Sequence, residues 1–290
     1  MTLSVVLPVR DCADLVGPAV RSLAAAVAPA GGQVLVVDDA STDATAARAE
    51  EAGATVLRRA ERGGPYAARN QGWAEADHPV VVFVDARCRP RPGWVEALTP
   101  PFADPDVAVV GGDVRVSSGS SLATRTAHHL QPLRLAAPAD APFLPYAPTC
   151  HLAVRRTALE AVGGFAEVRG GGDVDLCWAV QHLGVGGFRA APDAVLDWEP
   201  RPSIASLRAQ YRRYGHNHGR LCTAWAAAGC PRPPTAPPWR TALHHLRDRH
   251  DARPPVAVVA AACHAAYAAG LRRGLAEPDP RLGPDREVRA

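Results

Sequence analysis

The chain contains no lysine: all 32 of its basic residues are arginine. Set beside 28 prolines, 25 glycines and abundant alanine, that skew reads as coding bias rather than as a functional signal. Charge of one sign is also scarce, since 29 acidic residues leave a net charge of only +3. That is too little to argue for nucleic acid as a partner, and peripheral membrane association stays open only as a minor alternative. No CxxC pair occurs among the seven cysteines at 12, 88, 150, 177, 222, 230 and 263. An odd, scattered set excludes a disulfide framework and a zinc ribbon, and predicts reduced thiols in a cytoplasmic protein. The N-terminal MTLSVVLPVR has no basic region ahead of a long apolar core, so a signal peptide is not expected. The most apolar late run, residues 256–271, is dominated by alanine and holds His264, which predicts a packed helix rather than a span of ~20 strongly apolar residues.

What is present is a pattern. A chain of 290 residues, 47% hydrophobic and 21% charged, suits one large α/β domain or one domain with an appendage. Near-continuous apolar runs at 3–9, 33–38, 54–58, 79–85 and 107–116 predict strands buried on both faces, with helices near 14–28, 43–52, 66–76 and 92–103 between them. Together they predict a Rossmann-like, doubly wound, mostly parallel α/β sheet with helices on both faces. Ligands of such sheets bind beyond the carboxyl ends of the strands. Further on, 151–165 reads as strand, helix and glycine stop, 170–184 as glycine loop and helix, 188–198 as a strand, and 203–228 as a long helix. The stretch CPRPPTAPPW begins a proline-rich linker, and residues 276–290 read as a disordered tail.

Three segments place chemistry at strand ends. In VVDDASTD (36–43), Asp38 and Asp39 end the second strand, where acceptor-only groups suit a base N–H or ribose hydroxyls; they suit a helix cap near Ser41 to Asp43 as well. In GGPYAARNQG (63–72), Arg69 could reach a phosphate or brace the aspartates, although a lone arginine is more often solvated. In GGGDVDLCWAV (170–180), Asp173 begins a helix after three glycines, as a general base on a mobile loop would and as an ordinary cap would.

The order of these segments is more specific than any one of them. SVVLPVRD, VVDDASTD, GGPYAARNQG, VVFVDARCRPRPGWVEAL, HLAVRRTALEAVGGF and GGGDVDLCWAV resemble, in sequence, the inverting family-2 glycosyltransferases of GT-A fold, over roughly residues 3 to 220. The resemblance extends to RRYGHNHG (212–219), similar to the basic segment that follows the family's core. It implies a glycosyltransferase domain at 1–228, divided into a nucleotide-binding half (1–116) and an acceptor-side half (117–228), with a linker and C-terminal helical extension at 229–275. It implies a nucleoside-diphosphate sugar as donor and an acceptor whose identity the sequence does not reveal. By the same resemblance Pro8, Val9, Asp11, Asp38, Asp39 and Arg69 surround the nucleotide, Asp85 and Arg87 face the diphosphate, and Asp173 is the base of a single displacement with inversion.

The departures from the family cluster. In FVDARCRP (83–90) the second acid of the Asp-X-Asp motif is Arg87. Gly172 stands for the glutamate before the base, Trp198 for a metal-binding histidine, and His151 for an asparagine. A Mn2+ or Mg2+ ion would have Asp85 as its remaining ligand, so no cofactor is firmly expected. One guanidinium at ~4 Å from a phosphate charge, at an effective dielectric of about 20, contributes roughly 4 kcal/mol, about half of a divalent ion's electrostatic effect. Arg89, Arg69 or an arginine of 212–219 would supply the rest. The expected function is therefore sugar transfer, metal-independent if Arg87 replaces the metal. The alternative is a catalytically silent nucleotide-sugar binding or scaffold protein that has lost its metal site.

Overall fold

The computed structural model describes residues 1–135, 141–248 and 253–285. Its centre is an eight-stranded sheet. Four parallel strands, β1 (Leu3–Val9), β2 (Gln33–Asp38), β3 (Thr55–Arg58) and β4 (Val80–Val84), lie in the order β3-β2-β1-β4. β4 is valine-rich and buried throughout, as a strand covered on both faces must be. The crossovers are α1 (Ala13–Val27), α2 (Thr45–Glu51) and α3 (Pro65–Ala74). α1 turns Val16, Ala19, Val20, Leu23 and Val27 inward at helical spacing.

Beyond β4 the sheet changes character. The chain continues through β5 (Cys88–Pro90), α4 (Trp94–Leu98), β6 (Val107–Val116), α5 (Leu122–Leu130), β7 (His151–Arg155), α6 (Arg156–Val162), α7 (Gly172–His182) and β8 (Gly187–Trp198). The full order is β3-β2-β1-β4-β7-β6-β8-β5, with β7 antiparallel to both β4 and β6, and β5 antiparallel to β8. The sheet is thus mixed, with the parallel ladder confined to four strands, where a mostly parallel sheet is expected. An apolar run records burial on two faces but not strand direction. β5 escapes sequence reading because it is three residues long and includes an arginine and a proline.

The chain divides into two compact units, one formed by residues 1–114 with 135–198 and one by 115–134 with 199–284. This differs from a single domain at 1–228. The long helix α8 (Ile204–Ala224) groups with α5, α9 (Pro238–Asp248) and α10 (Pro254–Gly274). Its reason is steric: a Cβ at Gly215 would collide with the carbonyl of Tyr267, and one at Gly270 with the carbonyl of Arg212. α10 is long and apolar enough to cross a membrane by length and composition, and half of its most apolar window is buried within the protein. Within the segment expected as a disordered tail, Asp279 is buried against Arg220 and, at 2.8 Å, Arg281. Residues 286–290 of that tail lie outside the described residues. In the same unit His216 meets Glu277 at 3.1 Å and His218 meets the Tyr267 hydroxyl, so the HNH run is used in helix contacts.

Candidate active site

The carboxyl ends of β1 and β2 are tied together by short polar side chains. Asp11, in the left-handed region at φ 44°, accepts from the Thr42 amide (2.8 Å) and hydroxyl (3.2 Å), while its own amide donates to Ser41 Oγ (3.0 Å). The Thr42 amide holds the Asp11 carboxyl below its ordinary pKa. The Cys12 amide donates to Thr45 Oγ1 (2.8 Å) and the Ala13 amide to Asp43 (3.2 Å). Asp38 is buried and accepts from the Ser41 amide (3.2 Å) and hydroxyl. The structure therefore places Asp11 as a loop brace, and α2 starts at Thr45, whose amide Asp43 accepts at 2.9 Å. Asp38, Ser41, Asp43, Arg58 and Arg59 line an open cavity of about 390 Å³.

Asp39 organises the neighbouring loop. Only 5% exposed, it accepts from Arg59 Nε (3.1 Å) and from the amides of Gly63 (2.8 Å) and Gly64 (2.9 Å). Gly64 adopts φ 91°, which a side chain would resist, and Pro65 follows at the first turn of α3. A second cavity, about 210 Å³, opens here between Pro8, Val9, Arg10, Asp39, Arg62 and Gly64. Pro8, Val9 and Asp39, three of the residues expected around a nucleotide, are thus brought together. Arg69 is not among them.

Arg69 instead braces the end of β4. Its guanidinium, 5% exposed, meets Asp85, 41% exposed, at 2.8 Å, and lies 5.4 Å from the centre of the Tyr66 ring. The buried Tyr66 hydroxyl donates to Asp173 Oδ1 (3.1 Å), and the Thr149 amide donates to Asp173 Oδ2 (3.1 Å). The N-cap of α7 is Gly171 at φ 88°, so Asp173 stands inside the first turn rather than capping it, in the positive end of the helix dipole. Burial, reinforced by the charge of Asp173, raises the Tyr66 phenol well above its ordinary pKa, so it remains a donor. The thiol of Cys150 lies in the field of both Asp85 and Asp173; its hydrogen bond to the Cys88 thiol and its burial push it well up. Sequence reasoning missed Tyr66 and Thr149. The available signal was that Tyr66 stands three positions before Arg69 on α3, on the same helix face.

Residues 4–163 match the sequence model of glycosyl transferase family 2. The chain belongs to that family. A relative, the pre-mycofactocin glycosyltransferase of Mycobacterium tuberculosis, is 34% identical over 227 residues, 73% of this chain and 46% of the relative. The chain thus spans about half the length of that protein. Among solved structures, a mannosyltransferase from Pyrobaculum calidifontis, in complex with GDP-Man and Mn2+, aligns with 90% of this chain and 73% of its own at TM-score 0.59 and 22% identity. Glucosyl-3-phosphoglycerate synthase from M. tuberculosis, in complex with Mn2+, UDP and phosphoglyceric acid, aligns over 79% of each chain at TM-score 0.55 and 24% identity. These likenesses establish the GT-A fold.

Against that family background the departures can be placed. The Cys88 amide donates to the Asp85 carbonyl (2.9 Å), closing a turn with Ala86 and the half-buried Arg87 at its centre. Arg89 does not join Arg87 as a second cation. Its guanidinium donates to the carbonyls of Ala86 (2.9 Å), Cys88 (2.8 Å) and Leu15 (3.4 Å), holding the turn to α1. Trp198 is buried in sheet register with Cys88. His151 accepts from Trp94 Nε1 at its Nε2 (2.7 Å) and donates from Nδ1 to the Asp113 carbonyl (2.9 Å); burial lowers its pKa to about 4. Among the described residues no three His, Cys, Asp or Glu side chains gather as a ligand set. Asp85, paired with Arg69 through one oxygen and 41% exposed, is the acid of the Asp-X-Asp motif that remains to meet a divalent ion.

Proposed function

We propose that the chain transfers a sugar from a nucleoside-diphosphate sugar to an acceptor hydroxyl, with inversion and without a protein-held metal ion. The observation that carries this reading is the placement of Asp173. Tyr66 and Thr149 hold its carboxylate in the same chain of contacts that reaches Asp85 through Arg69. The nucleotide occupies the cavity at Pro8, Val9 and Asp39, with Asp38 in the larger cavity beside it and Asp85 and Arg87 toward the diphosphate. Asp173 takes the proton of the acceptor hydroxyl, whose oxygen bonds to the anomeric carbon from the face opposite the diphosphate. The carbon–oxygen bond to the diphosphate breaks, its electron pair leaves with the nucleotide, and the configuration inverts. Arg87 stabilises the leaving charge by fixed positive charge and hydrogen bonds. The names of the relatives point to unlike acceptors, so the acceptor here is defined only as a hydroxyl.

Calorimetric titration of UDP, GDP and dTDP, with Mn2+ and then with EDTA, tests the donor side. Binding of one nucleotide that EDTA leaves unchanged is expected; binding that requires Mn2+ would overturn metal independence. For the chemistry, Asp173→Asn should lower turnover of the matching nucleotide sugar by about 10²–10⁴-fold while nucleotide affinity stays within twofold. Equal loss of both would make Asp173 a structural residue.

A further inference from the structure

We propose that Tyr66 and Gly172 form an exchanged pair: Tyr66 fills the space left by the missing residue before the base and is the positioning residue for Asp173. This rests on the reading of Asp173 as the base. A Cβ on Gly172 would lie 3.1 Å from three atoms of the Tyr66 ring, tighter than ordinary contact, so a side chain at 172 would push the ring by a few tenths of an ångström from its present place. The same ring brings its hydroxyl to Asp173 twice, donating to Oδ1 (3.1 Å) and accepting from the Asp173 amide (3.3 Å). With the Thr149 amide on Oδ2, both oxygens of the carboxylate have fixed partners and its plane is set.

The ring is itself immobilised. Phe165 stacks on it at 5.5 Å and stands edge-on to Phe83 at 4.8 Å, while Asn70 holds the Phe165 backbone by two hydrogen bonds of 2.9 Å. Tyr66, Arg69 and Asn70 all belong to α3. One rigid helix therefore sets the geometry of both Asp173 and Asp85, and fixes the base relative to the diphosphate side of the site. Groups held this way need no reorganisation when the reaction occurs.

The test uses the full chain and five variants, assayed by nucleotide release from UDP-glucose, GDP-mannose or dTDP-glucose, whichever nucleotide the titration selects. Tyr66→Phe keeps the ring and removes the hydroxyl. It should lower kcat about tenfold while donor KM and nucleotide affinity change less than twofold, a split that general destabilisation would not produce. Tyr66→Ala and Gly172→Glu should each impair turnover and lower the thermal midpoint, whereas the double variant Tyr66→Ala/Gly172→Glu should recover part of both losses. The midpoints report the coupling whether or not turnover is measurable. Wild-type kcat in Tyr66→Phe, or losses that simply add in the double variant, would overturn the proposal. If Asp173→Asn is inactive in the same assay while Tyr66→Phe is unaffected, the positioning role alone falls. If Asp173→Asn remains active, the base assignment falls with it.

Discussion

His151 occupies a position where the family commonly has asparagine, and the structure makes it a core residue. Trp94 donates to one ring nitrogen, and the other donates to the Asp113 carbonyl. Gly112 is the complementary residue, because a Cβ there would collide with the imidazole. Since burial lowers the folded-state pKa to about 4 from 6.5, the unfolded chain binds more protons between those values. Stability is therefore fully present above pH 6.5 and is lost as pH falls toward 4, by an amount on the order of 3 kcal/mol. Unfolding free energies measured by urea titration from pH 4.5 to 7.5 should show this slope, and His151→Asn should flatten it. An unchanged slope in the variant would mean that other groups dominate the acid limb.

Short elements at the sheet's carboxyl edge divide into those that hold loops and those that face the cleft. Asp39 is the clearest case, because its carboxylate fastens Gly63 and Gly64 to the end of β2 and also borders the smaller cavity. Asp39→Ala would leave two amides and Arg59 without that acceptor, at a cost of about 2–4 kcal/mol. A chemical denaturation midpoint should report the loss, and the titration should show weakened nucleotide binding. A stability change under about 0.5 kcal/mol would show that the loop is held by other means. The places of Asp38, Asp39 and Asp85 were legible because each follows an apolar run, and that of Asp173 because it follows three glycines. The separate duties of Asp11, Arg69 and Arg89 were not, since each depends on which backbone amide, carboxylate or carbonyl the fold brings within reach.

Taken as a whole, the molecule joins two units with different ways of achieving density. The first is a sheet covered by helices. The second brings α8 and α10 close through glycines, with Gly270 against the Arg212 carbonyl and Gly274 against the His216 carbonyl. Gly270→Ala forces the helices apart, a strain of about 1–3 kcal/mol. Hydrogen exchange should accelerate in α8 and α10 while β1, β2 and β4 keep their protection. Uniform acceleration throughout the chain would show that the two units unfold as one.

By itself the sequence determined the α/β class, the strands β1 to β4 and the family, because valine runs, glycine turns and motif order are local properties of the chain. It also located the departures at Arg87, Gly172, Trp198 and His151. Only the tertiary structure decided which residues those departures meet. Whether Gly172 is an empty place or a seat for the Tyr66 ring, and whether His151 is a ligand or a core residue, depends on residues remote in sequence. Their juxtaposition is set by strand order and direction, which an apolar pattern does not encode.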